Sequence, residues 1–82
     1  MIYNVYSMRD EFAGFIQPTF ELNDNIAMRN FKFAINRPDT IIYANPKHFD
    51  LYMIGTFNTE TGELKKIEPK IVCTGLSVKE NE

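Results

Sequence analysis

The sequence predicts an α+β domain: a mainly antiparallel sheet of about five strands, with one helix over residues 24–37 packed on one face. Runs rich in β-branched and aromatic residues recur along the chain, separated by short polar breaks. Two of those breaks end in glycine, Gly14 and Gly62, as hairpin loops require. Between Asp24 and Arg37 the apolar residues instead recur at helical spacing, and Pro38 closes the stretch. A small, partly open barrel of the OB type is the alternative, since such barrels also place a helix between strands.

Ile2 to Met8, with Ile2, Val5 and two tyrosines, is the first strand, interrupted by Arg9-Asp10-Glu11. Phe15 to Leu22 resumes the apolar pattern and pairs with it as a hairpin, in which Gly14 takes a positive φ. Pro18 lacks a ladder donor, which places that second run at an edge or a bulge. Asn23-Asp24 offers an N-cap and a negative charge at the helix start. The helix stops by Arg37, because Pro38 disfavours helical geometry in the residue before it. Thr40-Ile41-Ile42-Tyr43 reads as a short strand, and Pro46 to Phe49 as a single helical turn. Leu51 to Phe57, the loop Asn58 to Gly62 and the return Glu63 to Ile67 form the clearest hairpin. Ile71 to Val78 is the last strand, and Lys79 to Glu82 a frayed polar tail.

With 82 residues the chain makes one domain, 1–82, and leaves little stability to spare. An apolar fraction of 44% and an aromatic fraction of 13% are enough for a core, which excludes global disorder. The net charge of −2 excludes a polybasic coat, so any anion binding must come from a local patch. The single cysteine, the lack of a secretory signal and apolar runs of only a few residues point to a reducing cytoplasm and no membrane. Small size also favours a homo-oligomer, a dimer first.

Nothing here resembles catalytic machinery, and the expectation is a protein that is not an enzyme and uses no cofactor. His48 is the only histidine, and Cys73 has no ligand neighbour at metal-binding spacing, so no metal site is expected. Cys73 and His48 could form a nucleophile pair, but a half-buried strand thiol and a loop histidine explain them more simply. The four glycines are too far apart for a phosphate loop.

The informative segment is Asn25 to Pro38, which has no acidic residue and three basic ones, Arg29, Lys32 and Arg37. At about 100° per residue, Ala27, Met28, Phe31, Ala34 and Ile35 form a core stripe. The opposite face gathers Arg29, Asn30, Lys32, Asn36 and Arg37 around Ile26 and Phe33. Cations beside an exposed ring suit single-stranded nucleic acid, where bases stack and phosphates need counter-charge. Tyr3, Tyr6, Phe12, Tyr43 and Tyr52 are further aromatic candidates, with Arg9, Lys47, Lys65, Lys66 and Lys70 as phosphate partners. For most of these rings strand packing is the simpler explanation. Arg29, Asn30, Lys32, Phe33, Arg37 and Arg9 are therefore the expected nucleic-acid contacts. Ile26 and Phe33 could instead pack on a second copy.

Three blocks in order carry a family resemblance: Met1-Ile2-Tyr3-Asn4-Val5-Tyr6-Ser7-Met8-Arg9-Asp10, then Asn23-Asp24 with Ala27-Met28-Arg29-Asn30-Phe31, then Leu51-Tyr52-Met53-Ile54-Gly55-Thr56-Phe57 with Thr61-Gly62. Over residues 1–64 the chain resembles the small nonstructural protein of gokushoviruses, bacteriophages of the Microviridae with circular single-stranded DNA genomes. The resemblance implies a non-capsid protein of the infected bacterial host's cytoplasm that binds single-stranded DNA or supports single-stranded genome synthesis. It supplies no catalytic residue. Arg29 and Asn30 fall in the matched block as contacts and Phe31 as packing; Lys32, Phe33 and Arg37 rest on the helical wheel alone. Single-stranded DNA is thus the expected partner, with a host or phage replication protein as the alternative.

Overall fold

A computed structural model describes residues 1–80 of the chain. Strand β1 (Ile2–Asp10) is followed by two short strands, β2 (Gly14–Phe15) and β3 (Thr19–Glu21), helix α1 (Asp24–Ile35) and a one-turn helix α2 (Ile41–Ala44). A 3-10 turn at Pro46–His48 leads into the long hairpin of β4 (Phe49–Asn58) and β5 (Leu64–Thr74), and α3 (Gly75–Val78) closes the described fold. The sheet is antiparallel, in the order β2-β1-β4-β5, and β3 extends the β2 edge along β1. It curls into an open half-barrel with the helices to one side, so the α+β expectation and its barrel-like alternative describe one object.

The turns follow from local chemistry. Gly14 (φ 89°) and Gly62 (φ 78°) occupy the left-handed region, as their loops require. Asp10 and Asn58 open those loops by accepting backbone N–H groups, from Phe12 at 2.9 Å and from Glu60 at 2.8 Å. Asn23 caps α1, its Oδ1 accepting from Ile26 N–H at 2.9 Å.

The structure corrects several expectations. Thr40 to Tyr43 is not a strand: the Thr40 hydroxyl accepts from Tyr43 N–H at 3.0 Å and caps α2, which turns Ile42 onto the core while Ile41 stays exposed. The return of the hairpin and the last strand are one continuous β5; a register shift between Met53 and Gly55 absorbs the bulge that carries Glu68 and Pro69, and a second between Leu51 and Tyr52 leaves Val72 unpaired. That strand ends at Thr74, whose hydroxyl accepts from Ser77 N–H at 3.2 Å, so residues 75–78 coil as α3. Phe15 to Leu22 divides into β2 and β3 around Pro18, the break that a missing donor imposes. Lys79 and Glu80, expected to fray, are held: Glu80 N–H donates to Asn36 Oδ1 at 2.8 Å and the Lys79 ammonium lies 3.9 Å from the Tyr43 ring centre. Residues 81–82 of the expected tail lie outside the described residues.

The core sits between the sheet and α1, where Ala27, Phe31 and Ile35 meet Tyr6, Phe49 and Leu51. Tyr6 ties the two layers together, its hydroxyl donating to Asp24 Oδ1 at 2.5 Å and accepting from Asn4 Nδ2 at 3.0 Å. Burial and the Asp24 hydrogen bond push this phenol up to about 12. The core stripe of α1 is the one its helical wheel prescribes, and that fixes which residues face outward.

Candidate nucleic-acid interface

Because Ala27, Phe31 and Ile35 are buried, Arg29, Lys32 and Phe33 project from the other side of α1, and Arg37 follows just past its C-cap Asn36. With Asn36, Pro38 and Glu80 they line a groove of about 470 Å³. Phe33 is 70% exposed, and the Arg37 guanidinium carbon lies 5.8 Å from its ring centre, within cation–π range. A ring already flanked by a guanidinium presents both parts of a stacking contact, an apolar face and a phosphate partner.

An acid that the local sequence does not contain joins this groove from far along the chain. Lys32 Nζ lies 3.4 Å from a Glu80 carboxylate oxygen, and both side chains are more than half exposed. Exposed pairs of this kind hold little energy and are screened by salt, so Lys32 can exchange Glu80 for a phosphate. The signal for Glu80 lay only in the tertiary contact: Asn36 grips the C-terminal segment by donating to Val78 C=O at 3.1 Å and accepting from Glu80 N–H.

Two expected contacts stand apart from this groove. Asn30 borders a smaller cleft of about 150 Å³ between α1 and the β1–β3 side of the sheet. Arg9 lies on the sheet face turned away from the helix, 6.0 Å from the Phe15 ring centre. Tyr6 is fully buried, and Tyr43 underlies Lys79. Phe12, though exposed, packs edge-on to His48 at 4.8 Å. His48 is thus engaged by a ring. Burial and the charge of Asp50 push the Cys73 thiol up, opposite to the shift that activates a nucleophilic thiolate.

A family model described as Phage ORF5 protein matches residues 3–78. The chain belongs to that family. The match runs from Tyr3 in β1 to the end of α3, so this phage ORF5 protein carries the basic helix face, the Arg37–Phe33 pair and all of the sheet but Ile2 within the family segment. No curated protein and no solved structure matches it.

Three rings outside the expected contacts, Phe15, Phe20 and Phe57, stand on the uncovered side of the sheet. Phe15 meets Tyr52 edge-on at 5.5 Å, and Phe20 meets Phe57 at 5.4 Å. A signal for them existed. β1 and β4 are apolar at both alternating positions, Tyr3-Val5 as well as Tyr6-Met8, whereas one helix can cover only one face.

Proposed function

We propose that this phage ORF5 protein binds single-stranded DNA without sequence specificity, in support of single-stranded genome synthesis, and that the outer face of α1 is a contact surface. One observation carries the reading: an exposed Phe33 capped by Arg37 and flanked by Arg29 and Lys32 around one groove. Membership of a phage family and the resemblance of residues 1–64 to the gokushovirus nonstructural protein support it. Each phosphate neutralised on a single strand contributes about −0.7 to the slope of log affinity against log salt. Three helix cations therefore supply a slope of about −2. Fluorescence anisotropy with labelled oligodeoxynucleotides at low and moderate salt tests this. Arg29→Glu with Lys32→Glu should lower affinity at least about tenfold while the circular dichroism spectrum is retained. A wild-type protein that fails to bind at low salt overturns the proposal.

The exposure of Phe33 also favours a second reading, a non-enzymatic interaction module in which Ile26 and Phe33 pack on a second copy or on a replication protein. Light scattering of wild type against Phe33→Ser separates the two. A drop from dimer to monomer with DNA binding intact assigns this face to assembly.

A further inference from the structure

We propose that the helix-free face of the sheet is a second contact for the same single strand, an aromatic trough that takes bases rather than a copy of the protein. This inference rests on the single-stranded-DNA reading above and adds a separate surface to it. Cross-strand pairing sets Tyr3, Val5, Ser7 and Arg9 of β1 on that face, opposite Phe57, Phe20, Tyr52 and Phe15 respectively. The curl of the sheet brings Phe15 and Phe20 at one edge and Leu64 and Lys66 at the other around one trough of about 470 Å³.

Phe15 and Phe20 are 45% and 46% exposed although each already touches a ring of β4. Half-exposed rings held edge-on by a neighbour are rigid platforms, so stacking on them costs little side-chain freedom. They pair with Arg9 and Val5, four residues apart on β1, and so stand about 13 Å apart at about 3.3 Å per residue. That separation lets them receive different bases of one strand.

The charges select the occupant. Among the described residues no carboxylate lines the trough, while Lys66 borders it and Arg9 lies over Phe15 at its end. Asp50, opposite Arg9 in the ladder, is turned to α3, where it accepts from Gly75 N–H at 3.4 Å. A symmetric second copy would bring like cations together without an acid to pair them. A polyanion with flat apolar bases satisfies rings and cations at once. The edge is also unsuited to adding a strand from another copy, because β5 carries Lys65, Lys66, Pro69 and Lys70 and is bulged.

The test uses the full chain and a 5-iododeoxyuridine-substituted oligodeoxythymidine of about ten nucleotides, within the range one open barrel engages. Photo-crosslinking followed by peptide mapping should label the segment from Phe15 to Phe20 or Tyr52, in addition to Phe33. Arg9→Gln with Lys66→Gln should weaken binding severalfold and reduce the salt slope by about 1.4, with the mass in solution unchanged. Wild-type binding with crosslinks confined to α1 and a salt slope unmoved by the two substitutions overturns the trough alone. A change of mass with unaltered DNA binding also overturns it and assigns the face to self-association. A wild-type protein that binds no oligonucleotide at low salt overturns this inference together with the reading it rests on.

Discussion

On one face of the sheet Tyr6, Met8, Leu51 and Met53 lie under α1 and α3, whereas on the other Phe15 and Phe20 meet Tyr52 and Phe57 edge-on and stay nearly half exposed. Both faces are built from the same two long strands and from side chains of similar size. The difference is cover: the chain has a single long helix, and its apolar stripe can be satisfied only once. The covered face holds the fold together, and the uncovered one leaves apolar rings exposed, which is why we propose it as a contact surface.

Truncation on the two faces should expose this contrast most strongly. Phe31→Ala empties a site 3% exposed and should cost about 3–5 kcal/mol in urea unfolding, enough to unfold much of so small a domain. Leu64→Ala, 65% exposed beside the trough, should cost less than about 1 kcal/mol. Equal losses would mean that the uncovered face is as essential to folding as the core.

A smaller effect tests the tie between sheet and helix. The folded-state Tyr6 phenol is pushed up to about 12 from an ordinary value of 10.0, so the native state keeps its proton where the unfolded chain has lost it. The stabilisation is therefore complete below pH 10 and is lost as pH rises toward 12, by up to about 3 kcal/mol. Urea titrations across this range should show the loss in wild type, and Tyr6→Phe should remove that component. A smaller loss than that of Tyr6 concerns the helix start: Asn23→Ala leaves Ile26 N–H without its cap and should cost about 1 kcal/mol, again by urea unfolding.

Features governed by neighbours in sequence were legible. The Asn23 cap, the stop before Pro38, the positive φ at Gly14 and Gly62 and the β4–β5 hairpin each depend on a few adjacent residues. The outward direction of Arg29, Lys32, Phe33 and Arg37 followed from a periodicity that burial of Phe31 and Ile35 enforces. Thr40 to Tyr43 misled because β-branched residues favour strands only where a partner strand is at hand, and here a threonine cap closes one helical turn instead. The end of β5 at Thr74 has a nonlocal part: a side chain at Gly75 would run into the Pro46 carbonyl oxygen, so only glycine lets α3 pack against the 3-10 turn. Arg9 and Asn30 parted from the helix groove because a strand and the far flank of a helix share no face with it.

The sequence by itself determined the α+β class, one amphipathic helix and the acid-free basic face, because helix and strand periods and cap chemistry act over a few residues. Tertiary structure decided that Glu80 returns to Lys32, that Arg9 joins Phe15, and that both edges of the sheet curl around one aromatic trough. Those contacts join residues far apart along the chain, and only strand pairing, bulges and the twist of the sheet bring them together.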